Sequence, residues 1–229
     1  MIETSSSQRS HQRGGVMKEE EVLRILKRAE AVATDGHYVL VGGNHSSVYV
    51  DKEVVSTNTE TTSKLCREMA RPFIKRHIEV VVAPATAGIP FGHSVASHLL
   101  HLSQMHGIRS VYARESGKGL AFSSTYARMI MKKRVLLVDD VLTTGSTLRK
   151  LVEAIERLDA QVKIVGASVL CNRGQVTAEG IGVPEFHALL NLPLEMWTEA
   201  KCQLCAQGVP INTDLGHGEA YLARRRKPK

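Results

Sequence analysis

Two adjacent carboxylates, Asp139 and Asp140, precede a hydroxyl-rich turn in the run VLLVDDVLTTGST, from Val135 to Thr147. Thr143, Thr144, Ser146 and Thr147 supply the hydroxyls and Gly145 lets the backbone turn tightly. The apolar residues before the acids read as a buried strand ending near Asp139 and Asp140. Leu148, Leu151, Val152, Ile155 and Leu158 follow at helical spacing, which starts a helix near Ser146. Backbone N–H groups of such a turn point outward at the positive end of the helix, where a phosphate binds. The loop is not a Walker A loop, which needs a Lys before the Ser/Thr and a wider glycine spacing. A bare phosphate is repelled by the acids. A phosphorylated sugar is not, if its hydroxyls face the carboxylates in charge-assisted hydrogen bonds and its phosphate faces the turn. The run therefore points to a ribose 5-phosphate unit read at both ends.

The elements that would position this turn alternate along the chain. Helical spacing runs from Lys18 to Ala33, from Thr61 to Ile74 and from Ile89 to Leu102. Strand-like runs are Ile78–Pro84, Ile108–Arg114, Arg134–Val138, Val162–Leu170 and the EFHALLNL segment. This order predicts an α/β fold, a Rossmann-like parallel sheet flanked by helices. Ligands of such sheets bind beyond the carboxyl ends of the strands, where the acid pair and its turn fall. HYVLVGGNHSSVYVDKEVV reads as two strand-like runs around a Gly-Gly turn, and Ser116–Tyr126 as a glycine- and serine-rich loop.

Composition narrows the class. The chain has 229 residues and a net charge of +7. No apolar run approaches the roughly 20 residues that cross a bilayer. The first 17 residues are polar and read as a disordered extension without an apolar signal core. The ordered domain is expected over 18–218, with a solvated basic tail over 219–229. Four cysteines do not make a disulfide framework, so a reducing cytoplasm is expected. Neither a helix-turn-helix pattern nor an RNA-binding signature accompanies the basic balance.

The run from Val135 to Thr147 resembles the phosphoribosyl pyrophosphate (PRPP) signature of type I phosphoribosyltransferases. That resemblance implies a small hood over the parallel core, built from roughly 18–55 and the C-terminal part. It also implies transfer of ribose 5-phosphate from PRPP to a nitrogenous base, with Mg²⁺ held mainly by PRPP and pyrophosphate released. Further segments are similar to orotate phosphoribosyltransferases: Gly36–Lys52 to their hood segment, VVAPATAGIPFG to their pyrophosphate loop, VLCNRG to their strand-end arginine, and CQLCAQGVP to a C-terminal segment of one branch. The resemblance implies that Asp139 and Asp140 hold the ribose hydroxyls and that Thr143 to Thr147 hold its phosphate. Ala85, Thr86, Ala87 and Gly88 would offer backbone N–H groups to pyrophosphate. Arg173 would read the orotate carboxylate beside Thr143, Ser47 and Tyr49. Arg114 and Lys118 would neutralise the departing pyrophosphate from a closing loop, shared across a homodimer. This loop lacks the histidine often found there, and Val41 and Ala87 replace two frequent lysines. A different base, or a PRPP-binding regulator that contacts nucleic acid, are the alternative functions. Cys202 and Cys205 read as ordinary thiols, with His217 the nearest candidate third ligand and Cys171 far off in sequence.

Overall fold

The computed structural model describes residues 17–40, 42–117, 119–192 and 195–226. The first sixteen residues of the expected extension lie outside this set, as do Val41, Lys118, Lys227 and Lys229.

Helix α1 (Glu19–Arg28) opens the described chain with three acidic residues in its first turn and two basic ones in its last, matching the helix dipole at both ends. Four short strands follow: β1 (Val32–Ala33), β2 (Tyr38–Val39), β3 (His45–Ser46) and β4 (Tyr49–Val50). By its sequence pattern DKEVV continues the second strand-like run. It instead enters helix α2 (Lys52–Thr57), because the Asp51 carboxylate accepts hydrogen bonds from the backbone N–H groups of Glu53 and Val54 and caps a new helix. Helix α3 (Thr59–Ala70) is capped in the same way by Asn58.

The core strands are β5 (Val80–Pro84), β6 (Arg109–Ser116), β7 (Gly119–Ala121), β8 (Arg134–Leu142), β9 (Lys163–Asn172) and β10 (Phe186–Asn191). They form one sheet in the order β10-β9-β8-β5-β6-β7, parallel throughout except for β7, which returns antiparallel on β6. Helix α4 (Gly88–Leu102) links β5 to β6, and α5 (Ser124–Ile130) leads into β8. Helix α6 (Ser146–Leu158) links β8 to β9, and the short α7 (Ala178–Ile181) precedes β10.

Successive side chains of a strand face opposite ways, and the core divides accordingly. Val81, Leu136, Val138 and Leu170 pack with α1, α3 and α4 on one face. Val80, Val82, Val135, Leu137 and Val169 pack with α5 and α6 on the other. Gly92 of α4 lies against the sheet, where an added Cβ would stand 2.9 Å from the Ala83 Cβ.

The hood draws on both ends of the chain. β1 pairs with β4, while β2 and β3 form a three-stranded sheet with β11 (Met196–Trp197). The amide of Asn212 donates to the His37 carbonyl and that of His217 to the Val39 carbonyl, both at 2.8 Å. Helix α8 (Gln203–Ala206) and helix α9 (Gly218–Arg226) complete the chain. The segment expected as a solvated basic tail is thus helical to Arg226. Arg224 and Arg225 are exposed, but the ring of Tyr221 meets that of His45 edge-on at 5.1 Å. α1 buries Val22 and Leu26 in the main core.

Candidate active site

Strand β5 is followed in sequence by a neighbour on one side (β6) and later by a neighbour on the other (β8). The sheet order therefore reverses between β5 and β8, the kind of switch point at which such sheets bind ligands beyond the carboxyl ends. The loops at 85–88 and 143–145 follow these two strands.

The acid pair lies inside strand β8, which runs on to Leu142 rather than stopping at the carboxylates. Pairing with β9 continues through Val141↔Cys171 and Leu142↔Asn172, so the ladder holds both acids rigidly. Asp139 is 5% exposed and Asp140 3%. Asp139 Oδ1 accepts a 2.9 Å hydrogen bond from the Asp140 amide. Burial first, and the neighbouring Asp140 charge second, push the Asp139 carboxyl well above the usual carboxylate range.

Lys52 Nζ reaches Asp140 Oδ2 at 3.3 Å from the first turn of α2. The sequence reading missed this contact. Its signal was the Asp-Lys pair closing the hood segment, where a capping acid starts a helix and aims the next residue at the sheet.

Past Leu142, Thr143 and Thr144 are exposed and Gly145 takes φ +70°. A side chain at Gly145 would also meet Ile181 and Val176 at 2.8 Å, so this position requires glycine twice over. Helix α6 begins at Ser146 with Gly145 as N-cap and no side-chain cap, and Ser146 and Thr147 are exposed. Thr144 Oγ1 accepts from the Ser146 amide at 3.3 Å and donates to Ser146 Oγ at 3.1 Å. Arg149 secures the turn from behind by donating to the Thr144 carbonyl at 2.9 Å and the Gly180 carbonyl at 3.1 Å. The structure therefore places a hydroxyl-lined turn at the start of a thirteen-residue helix.

The loop after β5 holds Ala85, Thr86, Ala87 and Gly88, with a cis peptide between Ala85 and Thr86. The Ala85 amide is used by the Ala113 carbonyl at 2.8 Å, while Thr86 is exposed. Gly88 opens α4 and is buried against Pro84.

Arg173 follows β9 and is 4% exposed. Its amide donates to the Leu142 carbonyl at 2.8 Å, and its Nη2 donates to the Val48 carbonyl at 3.2 Å. Arg173 thereby joins the end of β8 to the hood loop carrying Ser47 and Tyr49. Its Nε is buried without a hydrogen-bond partner, and no carboxylate lies within salt-bridge distance among the described residues. Burial lowers its tendency to hold the proton. Tyr49 stacks obliquely on Tyr38 with ring centroids 5.7 Å apart.

Gly174, next to Arg173, fits flush against the phosphate-type turn: an added Cβ would stand 1.4 Å from the Thr143 carbonyl oxygen. Gly174→Ala is expected to push Thr143 aside and to destabilise the fold by about 1–3 kcal/mol, the usual range for overpacking. Urea melts of the variant, with ribose 5-phosphate titrations alongside, measure both effects.

One expected cation, Arg114, stands apart from this cluster. Arg114 lies at the carboxyl end of β6, where its Nη2 donates to the Tyr112 hydroxyl at 2.8 Å and its guanidinium sits 5.1 Å from that ring's centre. It makes no contact with the acid pair here. It lines a small hollow with Glu115, Phe122 and Tyr126 instead. Lys118 falls outside the described residues. The segment expected as an open loop includes strand β7, with Ser116↔Gly119 pairing closing a tight hairpin and Ser123 capping α5.

Cys202 and Cys205, expected as ordinary thiols, are not alone. His37 and His45 of the hood converge on them, whereas neither His217 nor Cys171 belongs to the group. These histidines lie about 160 residues upstream, and only strand pairing in the hood brings them in.

The comparisons with known proteins agree with this geometry. Residues 58–182 match the family model of the phosphoribosyl transferase domain. The orotate phosphoribosyltransferase of Desulforamulus reducens is 33% identical over 85% of this chain and 95% of its own length. That of Thermotoga maritima is 31% identical over 86% of this chain and 98% of its own. Among solved structures, the orotate phosphoribosyltransferase of Aeropyrum pernix superposes with a TM-score of 0.56 at 25% identity, covering 75% of this chain and 93% of that one. The chain belongs to the phosphoribosyltransferase family.

Proposed function

We propose that this chain is an orotate phosphoribosyltransferase, transferring ribose 5-phosphate from PRPP to orotate to give orotidine 5′-monophosphate and pyrophosphate. The observation that carries the choice of base is Arg173: a buried guanidinium beside the phosphate turn with no carboxylate partner among the described residues. A buried charge is stabilised by an opposite charge with matching hydrogen bonds. Orotate brings a carboxylate on a flat ring, which a guanidinium fork reads in two-point fashion. Uracil, hypoxanthine and adenine carry no such group.

In this reading the 5-phosphate lies on the turn from Thr143 to Thr147, and the ribose hydroxyls donate to Asp139 and Asp140. Lys52 neutralises Asp140 in the free site and yields as the hydroxyls arrive. Pyrophosphate faces the loop from Ala85 to Gly88. The C1–oxygen bond to pyrophosphate breaks as the orotate ring nitrogen bonds to C1, and the proton of that nitrogen leaves to the departing pyrophosphate or water. Positive charge builds on the ribose, and the acid pair stabilises it. Arg173, with Thr143, Ser47 and Tyr49 around the ring, holds the nitrogen on line, which is a positioning effect.

Magnesium fits as a cofactor. Asp139 and Asp140 offer hard oxygen atoms, the ligand type this ion takes, but not a full octahedral set, so PRPP oxygens would supply most of its shell. When bound, the ion screens the charge of the pyrophosphate and weakens its bond to C1. Arg114 and Lys118 add charge when the β6–β7 hairpin closes over the site, in a pair of chains that exchange hairpins. The four free cysteines suit a reducing cytoplasm, and no described helix is long and apolar enough to cross a membrane.

The deciding experiment follows pyrophosphate release from PRPP and Mg²⁺ with orotate, uracil, hypoxanthine or adenine in turn. Release is expected with orotate alone. Turnover of a purine, or salt-sensitive retention of nucleic acid without turnover of any base, overturns the reading.

A further inference from the structure

We infer that His37, His45, Cys202 and Cys205 form a structural zinc site that ties the C-terminal segment to the hood. Their four ligand-type atoms lie within 4.8 Å of one another, with both histidines and Cys202 buried. They come from three separate stretches of chain: the entry to β2, strand β3, and the turn that starts α8. None of the four lies within the residues matched by the phosphoribosyl transferase domain.

The geometry favours a metal over a simple hydrogen-bonded cluster. Zinc bonds of about 2.0–2.1 Å to nitrogen and about 2.3 Å to sulfur, at tetrahedral angles, place N and S about 3.6 Å apart. The separations found are 3.5 Å for Cys202 Sγ to His37 Nε2, 3.8 Å for Cys205 Sγ to His37 Nε2 and 3.4 Å for Cys205 Sγ to His45 Nδ1. The two nitrogens, at 2.7 Å, need to part by about 0.6–0.7 Å to reach their tetrahedral spacing.

The surroundings orient the ligands. His37 Nδ1 donates to the Val209 carbonyl at 2.8 Å, which fixes the tautomer and turns a lone pair on Nε2 toward the sulfurs. The Cys205 amide donates to Cys202 Sγ at 3.4 Å, which fixes the position of that sulfur. Two imidazoles and two sulfurs in a tetrahedral array select zinc among common divalent ions. Four protein ligands leave no open coordination position, so the ion has a structural task.

That task is legible in the connections. β3 carries His45 and pairs with both β2 and β11. Ser47 and Tyr49 follow immediately along the chain, and the carbonyl of Val48 receives Arg173. A zinc ion would therefore brace the wall of the base site without touching the reacting atoms.

The test uses the full chain, expressed with supplementary zinc and purified without a metal-affinity tag. Elemental mass spectrometry is expected to find about one zinc per chain. Replacement by Co²⁺ is expected to give sulfur-to-cobalt charge-transfer bands and tetrahedral d–d bands. X-ray absorption at the zinc edge is expected to fit two nitrogens at about 2.0–2.1 Å and two sulfurs at about 2.3 Å. The double variant Cys202→Ser/Cys205→Ser is expected to lose these signals. The wild-type spectra need no variant to fold. Failure of the wild-type chain to retain zinc or cobalt after gel filtration, an all-oxygen shell around the bound ion, or a Cys202–Cys205 disulfide in freshly prepared reduced-cell protein overturns the proposal.

Discussion

Asparagine at both Asp139 and Asp140 is expected to abolish phosphoribosyl transfer while leaving a folded chain, with kcat/KM falling by about 10³-fold or more. Asparagine keeps the shape and the Oδ1 acceptor that receives the Asp140 amide. It loses the charge that accepts the ribose hydroxyls and faces the developing positive charge. Asp139→Asn alone separates function from stability. Folding raises the pKa of Asp139, chiefly by burial, so the folded state holds this proton at pH values where the unfolded chain has released it. Wild-type stability is then lost as pH rises from the unfolded value of about 3.9 through the raised one. The neutral asparagine escapes that loss. It should raise Tm by about 2–4 °C at alkaline pH, the shift that about 1 kcal/mol gives in a chain of this size. The gain should vanish near about pH 4, where the unfolded aspartate is itself half protonated. Thermal melts across pH, paired with pyrophosphate release, measure both effects. An active double variant rejects the role assigned to the pair.

Arg173→Lys is expected to weaken use of orotate by about 10–100-fold in kcat/KM, consistent with losing one or two hydrogen bonds to a charged group. Lysine keeps the charge but not the fork, so two-point reading of the carboxylate fails. The loss should appear mainly in the KM for orotate, with that for PRPP little changed. Discrimination between orotate and uracil should shrink by the same factor. The variant also surrenders the Nη2 contact to the Val48 carbonyl, so the hood loop loosens. Equal loss for PRPP and orotate would mean that Arg173 supports the wall instead of reading the base.

Much of this site was legible before any coordinates. The apolar run ahead of Asp139, the periodicity after Ser146 and the single glycine between them fix strand, helix and turn by local rules, and the structure follows them except that the strand runs on past the acids to Leu142. Arg173 stands out in sequence through the resemblance of VLCNRG to a family's strand-end arginine, not through spacing alone. Three features escaped for physical reasons. The Asp51 cap converts an apparent strand into a helix and so delivers Lys52 to Asp140. Gly174 looked like any loop glycine until its fit against Thr143 appeared. His37 and His45 are unremarkable in sequence, because their meeting with Cys202 and Cys205 depends on strand pairing between opposite ends of the chain.

That pairing between opposite ends sets an order of events during synthesis. The parallel core can assemble once its last strand, ending at Asn191, has emerged. β2 and β3 must wait for Met196 and Trp197, and then for the cysteine turn beyond them. A nascent chain released shortly after Asn191 would keep the sugar-phosphate half of the site but lack a roof over it. Such long-range closures are slow steps, so the hood should be the part of a newly made molecule most dependent on the residues from Met196 onward, and the part where premature stop codons act first.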